Sequence, residues 1–336
     1  MIQDVIKKVV EGCDLEELEM VEAMNEIMDG KTTDAQIACF LTALRLKGET
    51  VEEITGGVRV MREKATKIET KHPLVVDTCS TGGSGLHSFN ISTTSAFVVA
   101  GAGVPVAKHG NRGVTRKSGS ANVLMALGVN IEIPPEHVGK CVDEVGIGFL
   151  FAPLLHGAMK HAIGPRREIG IRTIFNAIAP LTNPAGAKAQ VLGVYSPELT
   201  ETHAHVLKNL GTKHAFIVHG ADGLDEITTT TTTRISELNN GEVNTYTFDP
   251  TTFGISKTEQ ESLLGGTPEQ NAEITTNILK GQIGPKRDIV LLNAGAAIVA
   301  GGKTKDLEVG IKLAADSIDS GRAFETLEVL KAVSNE

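Results

Sequence analysis

Two polar, glycine-rich segments hold most of the residues in this chain that could do chemistry: Ser80-Thr-Gly-Gly-Ser-Gly85 and Lys108-His-Gly-Asn-Arg-Gly-Val-Thr-Arg-Lys-Ser-Gly-Ser120. Each falls where an apolar, strand-like run hands over to a helical pattern. Backbone N–H groups exposed by glycines, the positive end of the following helix and nearby cations all favour a multiply charged anion at such a junction. The second segment carries Lys108, Arg112, Arg116 and Lys117 with no acidic residue, a cationic island in a chain of formal net charge −9. Its interleaved Gly110, Asn111, Gly113, Ser118 and Gly119 read as a ligand loop rather than a solvated charged face. Together the two segments describe a site for a small phosphorylated substrate.

A third segment, Asp222-Gly-Leu-Asp-Glu226, follows the apolar run His214 to His219. If its acids reach the phosphate loops, Asp225 and Glu226 suit Mg²⁺, a hard cation that takes a few carboxylates, waters and substrate phosphates. Arg166 and Arg167 follow Pro165, and one of them near a strand end could fork onto a carboxylate or phosphate. His156 and His161 are five apart, off a shared helix face, and read as structural. The four cysteines, Cys13, Cys39, Cys79 and Cys141, make no C-x-x-C pair and indicate neither a zinc site nor a disulfide framework. Cys79 adjoins the first loop, but no histidine motif marks a base for it, so it reads as a small filler. A dinucleotide fingerprint starting at Gly101 fails because its third glycine would fall on Val106, and no G-x-x-x-x-G-K-[ST] is present. Asn90-Ile-Ser92 matches a glycosylation acceptor, a motif common by chance.

The elements that must position these segments follow from periodicity. Ile2, Val5, Ile6, Val9 and Val10 are spaced as one helix face, with Gly12 placed to end it. Asp14 with Glu17, Thr33 with Gln36 and Thr50 with Glu53 resemble capping boxes opening three further helices. Four short helices cannot bury all their apolar stripes among themselves, so they are expected to pack on the rest of the chain or on a second copy. After Pro73, runs at 74–77, 104–107, 148–151, 190–195 and 214–219 read as buried strands, alternating with helical stretches at 91–102, 118–127, 135–145, 166–178 and 198–210. That alternation implies an α/β fold: a mostly parallel central sheet flanked by helices, with a smaller N-terminal all-helical domain. Ligands bind such sheets at the C-terminal ends of strands, where both glycine-rich loops fall. The threonines Thr228 to Thr233 are β-branched and predict a strand. From about Pro268 the pattern is helical again, and there is no internal repeat.

With 336 residues, 41% of them apolar, the chain can build one large domain and a smaller one. The acidic balance argues against general nucleic-acid binding. There is no basic leader and no apolar run near ~20 residues, so a cytoplasmic location is the expectation.

Asn90-Ile-Ser-Thr93, Lys108-His-Gly-Asn-Arg112, Lys117-Ser-Gly-Ser120, Arg172-Thr-Ile-Phe-Asn176, Pro180-Leu-Thr-Asn-Pro184 and Asp222 to Glu226 together resemble the anthranilate phosphoribosyltransferase family, over nearly the full length and in the same order. The resemblance implies a nucleoside phosphorylase/phosphoribosyltransferase-like fold. It implies a helical domain at 1–70 that forms the dimer interface and one wall of the cleft. The donor-binding α/β domain would be 71–336, with about 165–182 packing back on the helices. The substrates would be 5-phosphoribosyl 1-diphosphate and anthranilate. Ser80, Gly83, Ser84, Ser88, Asn90, Ile91, Ser92, Thr93, Lys108, His109, Gly110, Asn111, Arg112, Gly113, Val114, Thr115, Arg116 and Ser120 would hold the donor. Ser80, Asn111 and Arg166 would contact anthranilate, and Ser92, Asp225 and Glu226 would hold Mg²⁺, two ions per active site. The family is a homodimer. Its chemistry, displacement at the ribose anomeric carbon by an arylamine already unprotonated at neutral pH, needs stabilisation of departing diphosphate rather than a covalent nucleophile or strong base.

One departure stands out. The family's first loop reads Gly-Thr-Gly-Gly-Asp, where this chain has Ser80-Thr81-Gly82-Gly83-Ser84. Ser80 adds a side chain where backbone should approach the ligand, and Ser84 removes a carboxylate, changes that would alter donor affinity. Two alternatives stay open on sequence: a non-catalytic ligand-binding homologue, and a pyrimidine nucleoside phosphorylase, which shares the Asp-x-x-Ser-Thr-Gly-Gly form. The Lys-His-Gly-Asn-Arg form and the acid pair favour the transferase over the phosphorylase.

Overall fold

A computed structural model describes residues 1–82, 86–113 and 118–336. Gly83, Ser84, Val114, Thr115, Arg116 and Lys117 therefore lie outside the described residues. The chain opens with four helices, α1 (Ile2–Val10), α2 (Glu17–Met28), α3 (Asp34–Lys47) and α4 (Val51–Lys64). Thr33 and Thr50 form the expected capping boxes with Gln36 and Glu53. The box of α2 falls two residues later than read, at Glu16 with Glu19, because Asp14 is drawn instead into an ion pair with Lys47 at 2.7 Å. Glu53 is fully buried and ties the bundle: it accepts the Leu15 and Thr50 backbone N–H groups and pairs with Lys47.

The α/β region runs β1 (Val76–Ser80), α5 (Ile91–Gly101), β2 (Val106–Gly110), α6 (Ser120–Ala126), α7 (Pro135–Val145), β3 (Ile147–Phe151), α8 (Ala152–Leu155), α9 (Ile163–Ile169), α10 (Ile174–Ile178), β4 (Ala189–Gly193), α11 (Glu198–Asn209), β5 (His214–Gly220), β6 (Thr233–Asn239), β7 (Glu242–Phe248), and then α12 (Pro268–Leu279), α13 (Pro285–Ala300), α14 (Leu307–Asp319) and α15 (Arg322–Ser334). Among the described residues one seven-stranded sheet has the order β3-β2-β1-β4-β5-β6-β7, parallel from β3 to β5 and antiparallel beyond. Side chains alternate across it. Val76, Val191 and Val218 join a core with α5 and α12–α15, while Cys79, Leu192 and Ile217 join one with α1–α4, α10 and α11. Helices thus cover both faces.

Three expectations are corrected. Strands β1 and β2 start two residues later than their apolar runs and extend through Asp77, Thr78, Lys108 and His109, polar residues satisfied inside the fold. The helix expected over 166–178 is two, α9 and α10, separated at Gly170, whose φ of 62° is left-handed. In the threonine run only Thr233 enters a strand. The Thr228 and Thr230 hydroxyls bond Asp222 Oδ2, a local side-chain pattern that displaces the ladder. No helix among the described residues is long and apolar enough to cross a membrane.

Candidate active site at the sheet switch point

The chain leaves β1 to build β2 and β3 on one side, then returns past β1 to build β4 and β5 on the other. The pairing of β1 with β4 runs to the strand ends, whereas β1 and β2 pair only at Val76 with Val106, so the loops after β1 and β2 part at the C-terminal ends of the strands, where such sheets bind ligands. Ser80 pairs with Gly193 in register, Thr81 N–H donates to Gly193 O (2.9 Å), and Thr81 Oγ1 accepts Tyr195 N–H (3.0 Å). A Cβ on Gly193 would lie 1.8 Å from the Asp225 carbonyl oxygen and 3.1 Å from Ser80 Cβ. The first glycine-rich loop and the acidic loop, 145 positions apart at Ser80 and Asp225, therefore meet over one glycine.

Asp225 and Glu226 are buried, at 0% and 7% exposure, rather than solvated. Asp222 is an organiser of their loop: Oδ1 accepts Leu224 N–H and Oδ2 the two threonine hydroxyls. Buried carboxylates are costly unless opposite charge or a metal faces them. Lys108 supplies part of that charge. It points inward from β2 at 2% exposure, its Nζ bonds Thr78 O, and Ser92 Oγ lies 3.5 Å away. Burial holds its pKa below the usual ammonium range, opposed by the charges of Asp77 and Glu226. Lys108 is thus an interior cation, unlike Arg112, which is exposed, pairs with Glu132 at 2.8 Å and lies 5.2 Å from the Phe151 ring centroid. The donor set of Ser92, Asp225 and Glu226 is all hard oxygen, which fits Mg²⁺.

Helix α5 begins at Ile91, and its N-cap Asn90 makes no side-chain cap bond. The Asn90 side chain instead accepts from Ser118 Oγ (3.2 Å) and Asn271 Nδ2 (2.9 Å) and donates to Ser118 O (3.4 Å). The first-turn N–H groups of Ser92 and Thr93 are left for an anion, while Ile91 N–H already donates to Phe89 O at 2.8 Å. Ser88, just upstream, is held by a bridge to Leu264. At the second segment Asn122 Oδ1 accepts both Gly113 N–H (2.9 Å) and Gly119 N–H (3.1 Å), and Ser120 Oγ donates to Asn111 O (3.3 Å). A Cβ on Gly119 would sit 2.2 Å from Gly113 N, so the loop closes only around glycine.

Asn111 is exposed at the rim, its Oδ1 accepting Arg112 N–H. Arg166 stands on α9, half-buried, its guanidinium 4.9 Å from the Phe175 ring centroid, and burial lowers its pKa. Arg172 lies 4.4 Å from the Tyr195 ring centroid, over the residue that bonds Thr81. His109 and His156 meet Nε2 to Nε2 at 3.1 Å, and burial pushes them down to about 3 and about 4, so both are neutral at neutral pH. Cys79 is buried, Gln190 donates to its Sγ at 3.0 Å, and burial raises its pKa far from a thiolate's, which suits filler.

Sequence reasoning did not single out Asn183, Gly193, Asn271 or the His156 contact. Asn183 sits inside the quoted Pro180–Pro184 motif, the one signal available. Gly193 and Asn271 act only through neighbours distant in the chain.

Comparisons with known proteins show the family and the fold. The helical bundle domain model of the glycosyl transferase family matches residues 3–65, and its a/b domain model matches 72–324. An anthranilate phosphoribosyltransferase of Symbiobacterium thermophilum is 57% identical over 326 residues, 97% of this chain and 96% of the relative. The crystal structure of the anthranilate phosphoribosyltransferase of Thermus thermophilus superposes with a TM-score of 0.94 at 42% identity, covering 99% of this chain and 100% of that one. That of Saccharomyces cerevisiae, in complex with PRPP and Mg, gives 0.91 at 27% identity over 99% and 98%.

Proposed function

This chain belongs to the anthranilate phosphoribosyltransferases, and from that membership we propose how its own residues divide the work. It transfers the 5-phosphoribosyl group from 5-phosphoribosyl 1-diphosphate to the amino group of anthranilate, giving N-(5-phosphoribosyl)anthranilate and diphosphate, a step of tryptophan biosynthesis. The observation that carries the division of labour is the junction at Gly193, where Ser80 and Asp225 touch the same residue with Lys108 and Ser92 close by.

The loop after β1 and the first turn of α5 hold the diphosphate. Backbone N–H groups of Ser92 and Thr93, with the α5 dipole, take its oxygens, and Ile91 lines the turn. Lys108 to Arg116 and Ser120 hold the 5-phosphate end, and Asn90 keeps the two halves in register through Ser118. Ser92, Asp225 and Glu226 hold Mg²⁺, two ions per site, which supplies charge to the departing diphosphate oxygens. In the transfer the anomeric C–O bond breaks with its electron pair going to diphosphate, and the nitrogen lone pair forms the new C–N bond. The amine then loses its proton to solvent. The neutral His109–His156 pair offers no cation to compete for the leaving group.

Anthranilate lies between Asn111 and Arg166, its carboxylate toward the guanidinium, with Ser80 at the edge. Phe175 holds that guanidinium in place by stacking. Replacing Arg166 by Ala is expected to raise the KM for anthranilate about 10- to 100-fold, the worth of a hydrogen bond between charged groups, with the donor KM unchanged. An unchanged anthranilate KM in steady-state assays would remove Arg166 from the acceptor site.

Residues 1–70 act as a helical domain and 71–336 as the donor-binding domain. Supporting this, Ile174, Phe175 and Ile178 of α10 share a core with the helices, and Arg62 of α4 donates to Leu181 O at 2.8 Å. The protein works as a homodimer through the helical domain, whose Val10, Leu18 and Leu46 are 64%, 72% and 83% exposed. It is cytoplasmic, in keeping with free thiols at Cys13, Cys39, Cys79 and Cys141.

A further inference from the structure

Strands β1 and β2 are sheet neighbours, yet they pair at a single register position, Val76 with Val106, while β1–β4 and β2–β3 each pair over five. Beyond Val76 the two strands part, and the loops leaving them are the two halves of the donor site. A continuous parallel ladder would have sent the β1-facing groups of β2, Ala107 O and His109 N–H, to the β1 backbone. Side chains take them instead. Asp77, wholly buried, accepts His109 N–H through Oδ1 at 3.0 Å and the Asn183 amide through Oδ2 at 2.8 Å. Asn183 Nδ2 also donates to Ala107 O at 2.8 Å, and its Oδ1 accepts Ala185 N–H at 2.9 Å. Asn183 is 3% exposed. A carboxylate and an amide are therefore wedged between two strands that a ladder would have drawn to about 4.8 Å.

We propose that Asp77 and Asn183 are positioning residues for the transfer: a hydrogen-bonded spacer that sets how far β1 and β2 open and so fixes the span between the loop at 80–82 and the segment at 108–113. This rests on the assignment of those two loops to the two ends of the donor. The spacer works because every group in it is matched. The two backbone groups of β2 have a donor and an acceptor, and the two lone pairs of Asp77 in use face N–H groups. The other titratable groups facing Asp77 are Lys108 from β2 and Cys79 from its own strand.

The matching gives a test that a merely structural role would not pass. Asn183→Ala leaves Ala107 O and Asp77 Oδ2 without a donor. The strands resettle, and the KM for 5-phosphoribosyl 1-diphosphate is expected to rise at least tenfold in protein that is folded by circular dichroism. Asn183→Asp sets a carboxylate against Asp77 and a carbonyl; only its protonated form has an O–H to give. Two carboxyl groups sharing one proton titrate at raised pH. The ratio of Asn183→Asp to wild-type kcat/KM for the donor should therefore climb at least tenfold as pH falls from 8 to 5.5.

A purely structural role would lower the active fraction, and with it kcat, at a wild-type donor KM and with a pH profile parallel to wild type; that pair of results would overturn the proposal. If Asn183→Ala fails to fold, the Asn183→Asp profile decides alone. Failure of the underlying donor-site reading looks different: the wild-type protein itself would show no saturable dependence on the donor, and the proposal would fall with it.

Discussion

The double substitution Asp225→Asn with Glu226→Gln is expected to cut kcat/KM at least about a thousandfold while leaving a folded protein, because a bound metal's stabilisation of departing charge is worth several kcal/mol. The changes conserve shape, remove the charge and turn one acceptor oxygen of each side chain into an NH2 donor. Both side chains are buried, and Lys108, whose charge faces Glu226, keeps Asp77 as a buried counter-charge after the change. The fold should therefore survive, with a lower melting temperature than wild type. Mg²⁺ binding would have no such compensation: two of the three side chains that would hold it lose their charge, and raising Mg²⁺ to tens of millimolar should restore little. Steady-state assays over a Mg²⁺ series, with thermal melts on the same samples, check both halves. Activity within about tenfold of wild type, at wild-type Mg²⁺ dependence, would show that these acids do not hold the metal.

Gly193→Ala is expected to lower kcat/KM about a hundredfold or more, the loss that an ångström of misplacement in a reacting constellation produces. The added methyl would sit 1.8 Å from the Asp225 carbonyl oxygen, a backbone atom, and 3.1 Å from Ser80 Cβ. The strand pairs on both sides, with Ser80 and with Val218, so Gly193 itself has little room to yield. The acidic loop must move, carrying Asp225 and Glu226 away from Ser92 and Lys108. The signature is a Mg²⁺ activation curve displaced to higher concentration, with a stability loss of about 1–3 kcal/mol from overpacking. A wild-type Mg²⁺ curve would mean that the loop tolerates the methyl and that its contact with β4 does not aim the acids.

These two predictions draw on different levels of information. Asp225 and Glu226 could be read as metal acids from sequence because they follow a strand-like run, and the α/β alternation places such ends together. Gly193 could not, because its role comes from a contact between the end of β4 and a loop 32 positions further on, which only the fold creates. The same divide runs through the fold. Capping boxes at Thr33 and Thr50 were legible because they are local. Strands β1 and β2 were read two residues early because Thr78, Lys108 and His109 look like loop residues until their interior partners are known. The threonine run misled for the opposite reason: β-branching favours a strand, but Asp222 offers the hydroxyls a closer bond. Lys108 and Arg112, read together as cations of one ligand loop, differ in the fold: Lys108 is buried and Arg112 exposed.

The departure from the family pattern at Ser80 is now placed. Its Oγ accepts Gly82 N–H at 3.3 Å, and its Cβ faces Gly193, so its side chain borders the junction that aims the acids. Ser84 lies outside the described residues. The pyrimidine phosphorylase alternative gives way to the full-length likeness to anthranilate phosphoribosyltransferases.

The most direct measurement follows anthranilate fluorescence in a mixture of purified protein, Mg²⁺, anthranilate and 5-phosphoribosyl 1-diphosphate. Fluorescence should fall with one diphosphate released per anthranilate consumed, and stop when Mg²⁺ is chelated. Donor binding with no loss of fluorescence at high enzyme and donor concentrations would contradict the account.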